Sequence, residues 1–520
     1  MKNIAKRIAG FIMAAAAIAI GAQAEKLVIL HTNDTHSNID INPDGTGGVL
    51  PRKAIIDSVR KAEKNTILID AGDMVQGTLY FNYFRGDVEY PLFNMMGYDI
   101  RILGNHEFDN GLNELVAHWK RVKGDRLSAN YDFSDTPAKG IFKPYVIKKI
   151  GGKKIGFMGI NIDPESLIIS ENYAGMKYSD AITTANRVAS ELKRKGCDLV
   201  AAVTHIGYTT DVDKATDIDL ARESRDIDII IGGHSHTFVD PSTPEKTPYW
   251  IKNAAGRPVL VAQTGKYGRN IGYISIDLDN LDKRGFDYEY IPVTDRFSPS
   301  AYDKEIAAFL APYKAKVDSV NNHVIGRAAA DMSNSSRTGA YPNWGGDFAL
   351  WYGRHVADSL RRAGLDIPEV EIGMINVGGI RQPLKKGDVT EGKMLATFPF
   401  SNYLQLISIK GSDFAKAMQA AFAKGGEGVS GTVRVVGDSA GNVKHVIVGD
   451  KEIDPDKEYI MATIDYLSGG NDGLTPLANH RLLWTDREKM NVRVLDYIRM
   501  LSGFGLPIEG DPRPRFITEE

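Results

Sequence analysis

A single cysteine stands in 520 residues, Cys197 in Lys195-Gly196-Cys197-Asp198. An internal disulfide is therefore excluded, and stability in an oxidising compartment has to come from burial of a core. Cys197 itself, just before an apolar run, reads as a small core hydrophobe. Charge of one sign is missing too: 63 Lys and Arg stand against 66 Asp and Glu, a formal net charge of −3. That balance offers no electrostatic case for a nucleic-acid polymer or an anionic membrane as partner. Any pull on a phosphate must be local. Internal repeats and low-complexity tracts are absent beyond the N-terminus, where Lys2, Lys6 and Arg7 precede an apolar run from Ile8 to about Gly21. That run is short for a bilayer span, and Ala22-Gln23-Ala24 supplies a small-x-small cleavage pattern. Residues 1–24 are expected to be a signal peptide cleaved after Ala24, which takes the formal charge from −3 to −6. No cysteine lies near that site to accept a lipid, and no later run is apolar enough to span a bilayer. The expectation is an exported chain, periplasmic or secreted, without stable membrane insertion. No feature sets an oligomeric state.

The length exceeds what one hydrophobic core usually serves, so two domains are expected. Over residues 25–297 short apolar runs alternate with segments of helical period, which argues for an α/β sandwich. The strand-like runs are Leu27–Leu30, Ile67–Ile69, Ile100–Leu103, Leu199–Val203 and Ile227–Ile231, with Pro258–Gln263 and Ile271–Leu278 later. Helices are expected over Leu50–Ala62, Gly111–Lys123, Asp180–Lys195 and Asp213–Glu223. The texture breaks at Pro292–Pro299, and Ala301–Val320 has apolar residues at helical spacing. Residues 298–322 are read as a linker helix, and 323–520 as a second α/β (α+β) domain with helices at Phe348–Ala363 and Ser412–Ala423.

Each early strand run ends in residues that carry chemistry: Asp34-Thr35-His36, Gly72-Asp73, Gly104-Asn105-His106-Glu107, Thr204-His205 and Gly233-His234-Ser235-His236. The carboxyl ends of parallel strands converge on one crevice, so these groups should meet there. Asp34 and His36, two apart on extended backbone, project to the same side. Carboxylate, imidazole and the Asn105 carbonyl oxygen suit Zn, Mn or Fe, and Asp73 can give one oxygen to each of two ions. Singly these motifs are weak. In this order and at these strand ends they are specific, whereas His118, His323, His355, His445 and His480 lack such company.

The ordered set resembles the calcineurin-like metallophosphoesterases, and Leu30-His31-Thr32-Asn33-Asp34-Thr35-His36 resembles the opening of their 5′-nucleotidase branch. The resemblance implies two divalent ions, Zn, Mn or similar. One would be held by Asp34, His36, Asp73 and His236, the other by Asp73, Asn105, His205 and His234. His236 stands where well-known 5′-nucleotidases carry Gln or Asn. Two such ions lower the pKa of a shared water and neutralise phosphoryl oxygens for in-line attack. His106 and Asp109 resemble the family's catalytic dyad, with His106 stabilising the transition state or protonating the leaving oxygen and Asp109 orienting it. Asp109 could instead cap the helix that follows.

In the second half, Asn376-Val377-Gly378-Gly379-Ile380-Arg381, Phe398-Pro399-Phe400-Ser401-Asn402 and the stretch from Tyr466 to Gly473 resemble the 5′-nucleotidase C-terminal domain, whose two aromatics sandwich a nucleobase. That implies stacking by Phe400 and Tyr466, ribose contacts by Asp472, base-edge contact by Asn402, and phosphate or carboxylate pairing by Arg381 with Asn376 nearby. Tyr466 stands where Phe is usual. Arg337 is the candidate for a further phosphate contact. The family is also known for domain rotation about the connecting helix. The expected activity is hydrolysis of nucleoside 5′-monophosphates, with nucleotides as partners. The same site would serve a 2′,3′-cyclic nucleotide phosphodiesterase or a nucleotide-sugar pyrophosphatase. A thiosulfohydrolase shares the architecture but has no use for a stacking pair. A non-catalytic nucleotide-binding protein would lack a ligand or the dyad, and every one of these residues is present.

Overall fold

The computed structural model describes residues 25–42, 44–165, 167–209, 214–281, 285–294 and 302–519. The expected signal segment 1–24, the boundary expected at 297/298 and the first residue of the expected helix at Asp213 lie outside them.

Two six-stranded sheets form the first half. In one, the order is Phe286–Pro292, Asn270–Asp277, Lys26–Thr32, Thr66–Asp70, Ile100–Ile102, Asp125–Leu127. Its last four strands run parallel, and the first two join antiparallel. In the other, Trp250–Lys252, Pro258–Ala262, Ile229–Ile231, Leu199–His205, Lys153–Asn161 and Tyr145–Ile150 follow one another, parallel except at the two edges. Alternation along one strand explains the layering. Leu27 and Ile29 enter a core shared with Phe157, Val200 and Ile230 of the second sheet, while Val28 and Leu30 enter a different core under helices Val49–Ala62 and Glu89–Met96. The sheets thus stack face to face, with helices outside. Cys197 is buried in the core around the second sheet, as its sequence context suggests.

Helix Lys304–Asn321 follows, started by Asp303, whose carboxylate accepts from the N–H groups of Glu305 and Ile306. Beyond it a five-stranded sheet runs in the order Gly428–Val429, Val370–Ile375, Glu458–Ile464, Tyr403–Lys410, His480–Lys489. A four-stranded sheet of Lys451–Glu452, Val443–Val448, Val433–Asp438 and Phe516–Glu519 completes the second half. The helix expected at Phe348–Ala363 spans Ala340–Arg362, starting two turns earlier. Pro342, Gly345 and Gly346 read as breakers, but the proline lies in the first turn, where its missing N–H has no helical partner to lose. The glycines let the helix press onto the sheet: a Cβ at Gly346 would lie 2.3 Å from the Val429 carbonyl carbon. Among the described residues, no helix is long and apolar enough to cross a membrane.

Candidate metal centre and adjoining cavity

Every expected ligand of the first half leaves the C-terminal end of a parallel strand. Asp34 and His36 follow Lys26–Thr32, Asp73 follows Thr66–Asp70, Asn105 and His106 follow Ile100–Ile102, His205 ends Leu199–His205, and His234 and His236 follow Ile229–Ile231. The turns are abrupt. Asp34, His36, Asp73, His234 and His236 all have positive φ, between 47° and 78°. Such backbone costs about 1–3 kcal/mol per non-glycine residue and persists only where its surroundings impose it.

The donor atoms cluster in two lobes joined by Asp73. In one, His36 Nε2 and His236 Nε2 lie 2.9 Å apart, and each faces Asp34 Oδ1, at 3.8 and 3.6 Å. In the other, His205 Nε2 lies 3.1 Å from Asp73 Oδ2, and His234 Nδ1 lies 2.9 Å from Asn105 Oδ1. Asp73 Oδ2 also lies 3.9 Å from His36 Nε2, so one carboxylate faces both lobes. Three sets of titratable groups, Asp34/His36/His236, His36/Asp73/His106 and Asp73/His205/His234, each bring their donor atoms within 4.8 Å of one another.

This donor set fits divalent metal. Burial pushes the Asp34 carboxyl up to about 7 and the His234 imidazole down to about 3. Burial opposes charge on His205 as well, but Asp73 outweighs it and lifts the imidazole to about 10. Packed carboxylates and imidazoles of this kind are costly unless a cation lies among them. His205 Nδ1 meets the Ala71 carbonyl at 2.7 Å, which leaves Nε2, the nitrogen facing Asp73, as the one able to ligate a metal.

Neighbouring groups hold the candidate ligands in place. Asn33 donates to Asp34 Oδ2 at 2.6 Å, and the His234 N–H donates to both Asp34 oxygens, at 3.1 and 3.0 Å. Glu107 is visible in the sequence only as the end of Gly-Asn-His-Glu. Its buried carboxylate accepts from the backbone N–H groups of Asp73, Met74 and Gly104 at 3.1, 3.0 and 2.5 Å, clamping together the two turns that carry Asp73 and Asn105.

His106 Nδ1 meets Asp109 Oδ2 at 3.0 Å. Burial works against charge on this imidazole, yet the Asp109 and Asp73 carboxylates prevail and hold its pKa above the usual histidine value. Asp109 does not cap the next helix, Leu112–Trp119, which Gly111 begins without a side-chain cap.

A cavity of about 220 Å³ opens on this cluster. Asp73, Asn105, His106, Asp109, His234 and His236 line one wall, and Asn376, Arg381, Phe400, Asn402, Tyr466 and Asp472 from the second half line the other. Phe400 stands 5.8 Å from the His106 ring, and the Arg381 guanidinium lies over Phe400 at 5.6 Å. The expected residues of the two halves therefore share one space. Arg337 does not line it. The buried Glu427 draws its guanidinium away, together with the Gly426 carbonyl at 3.0 Å. Leu167, Ile168, Ile169 and Asn172 line the cavity without having announced themselves in the sequence, because an apolar loop segment has no pattern of its own.

Residues 27–238 match the family model for calcineurin-like phosphoesterases, and residues 324–479 that for the 5′-nucleotidase C-terminal domain. The 5′-nucleotidase of Rattus norvegicus is 27% identical over 537 aligned positions, covering 94% of this chain and 90% of the relative. The crystal structure of a 5′-nucleotidase precursor from Thermus thermophilus superposes with a TM-score of 0.80 at 28% identity, covering 95% of this chain and 100% of that one. A sulfate thiohydrolase of Thermus thermophilus shares the fold alone, with a TM-score of 0.68 at 16% identity over 96% of this chain and 98% of its own.

Proposed function

Because the chain belongs to the 5′-nucleotidase family of metallophosphoesterases, and is therefore a metal-dependent phosphoester hydrolase, we propose that it hydrolyses nucleoside 5′-monophosphates to nucleoside and phosphate. The observation that carries this reading is the shared cavity, with a His/Asp cluster that could hold metal on one wall and two aromatics beside a carboxylate on the other.

In this reading Asp34, His36, Asp73 and His236 hold one divalent ion and Asp73, Asn105, His205 and His234 a second. When bound, the ions supply Lewis acidity to phosphoryl oxygens and lower the pKa of water. His106, favoured in its charged form, donates to the phosphoryl oxygens or protonates the leaving oxygen, with Asp109 fixing its orientation. Arg381 neutralises phosphate charge from the opposite wall. Phe400 and Tyr466 take the base between them, and Asp472 takes the sugar. Asn376 steadies Asp472, at 2.9 Å, and Asn402 faces the base edge. Export rests on the Ala22-Gln23-Ala24 pattern. If it is right, the mature protein isolated after expression with its own N-terminus begins at Glu25 by mass spectrometry; an intact Met1 in an unprocessed chain would refute it.

The test is phosphate release from AMP, UMP, UDP-glucose and 2′,3′-cyclic AMP, with Mn or Zn and with chelator. Hydrolysis of the two monophosphates that stops on chelation is the expected result. Turnover confined to the cyclic nucleotide or the nucleotide sugar would reassign the substrate and keep the centre.

A further inference from the structure

Asp472 is gripped from two sides. The Tyr466 hydroxyl donates to its Oδ1 at 3.0 Å, and Asn376 Nδ2 donates to its Oδ2 at 2.9 Å. All three side chains line the cavity. Their loop is held as well: Asn471 Nδ2 donates to the Tyr466 carbonyl at 2.7 Å, and Asp472 sits in the left-handed region at φ 55°. It is the one non-glycine residue of the second half to do so among the described residues, and such strain collects where function needs a side chain aimed. Burial and the facing carboxylate keep the Tyr466 phenol protonated, so toward Asp472 it donates.

After these two bonds each carboxylate oxygen retains acceptor capacity. Two acceptors side by side, with the carboxylate plane fixed, match the two adjacent hydroxyls of a ribose. Resting on the nucleotide reading above, we propose that the Tyr466 hydroxyl is a specificity determinant for the sugar. By fixing the Asp472 carboxylate, it makes the cavity favour ribonucleotides over 2′-deoxyribonucleotides. A phenylalanine here would keep the stacking face yet leave Asp472 with Asn376 alone, free to turn about its terminal torsion. Preorganised acceptors gain affinity by sparing the cost of ordering them on binding.

The experiment compares wild type with Tyr466→Phe on AMP, 2′-deoxy-AMP and p-nitrophenyl phosphate. Affinities for adenosine and 2′-deoxyadenosine are measured calorimetrically in parallel. The expected result is a loss of about tenfold in kcat/KM for AMP, mainly through KM, several-fold greater than any loss on the other two substrates. The calorimetric preference for adenosine should shrink by a similar factor. An unchanged AMP to 2′-deoxy-AMP ratio, where wild type still strongly prefers AMP to p-nitrophenyl phosphate, overturns this inference alone. An equal loss on all three substrates also overturns it, since the hydroxyl would then only support the fold. A wild type that cleaves p-nitrophenyl phosphate as well as AMP overturns the nucleotide reading and this inference with it.

Discussion

The imidazole of His106 and the carboxylate of Glu107 are adjacent in sequence but act in different directions. His106 faces the cavity with Asp109 behind it, whereas Glu107 turns inward to three backbone N–H groups. Replacing each should therefore fail in a different way. His106→Gln is expected to lower kcat by about 10²- to 10⁴-fold while leaving metal content, measured by elemental analysis, at the wild-type value. Lost metal would show that His106 is chiefly a ligand. Glu107→Gln should weaken metal affinity by about 10- to 100-fold, as removal of groups that orient ligands does. Titration calorimetry with Zn or Mn on the purified protein reads this without turnover, and wild-type affinity would count against the clamp. His106 and Asp109 are picked out in the sequence by the family resemblance of Asn105-His106-Glu107-Phe108-Asp109, and their side chains do meet. The Glu107 clamp is not picked out, since its partners are backbone atoms, most of them distant in the chain.

At the level of strands and turns, the five strands whose ends converge can be read from the sequence, because short apolar runs closed by Gly, Asp and His leave little room for another pattern. What depends on close approach between elements cannot. The early start of helix Ala340–Arg362 rests on glycines that press against sheet strands further along the chain, Gly345 at Ile375 and Gly346 at Val429, which local propensity does not register. Arg337 is a candidate only because the family resemblance implies a phosphate-touching arginine in this stretch, and the buried Glu427 that claims it comes from a different loop. Leu167–Asn172 carries no signal at all. The same sensitivity to close approach gives a sharp test at the metal centre: a Cβ at Gly104 would lie 2.1 Å from Asp73 Oδ1. Gly104→Ala should push the shared carboxylate aside, abolish metal-dependent activity and keep the far-ultraviolet circular dichroism of the wild type. An active Gly104→Ala enzyme would mean that Asp73 has more freedom than the packing allows.

Across the whole molecule, stability should carry a pH dependence from a carboxyl buried away from the cavity. Glu89 is buried at the start of helix Glu89–Met96, and burial pushes its carboxyl up from 4.5 to about 7. A raised folded-state pKa means that the native protein binds this proton more tightly than the unfolded chain does. The site costs nothing below pH 4.5 and destabilises increasingly as pH rises toward 7, by on the order of 3 kcal/mol at most. Glu89→Gln should match wild type in denaturant melts near pH 4.5 and exceed it at pH 8. Equal midpoints at both pH values would refute this.

The proposed site draws on both halves of the chain, and a variant confined to the second half tests this most directly. The double variant Phe400→Ala, Tyr466→Ala should lose about 10- to 1000-fold in kcat/KM for AMP, from two stacking faces, while hydrolysing p-nitrophenyl phosphate at close to the wild-type rate. Undiminished hydrolysis of AMP would contradict a shared site, leaving a metallophosphoesterase whose second half does not read the base.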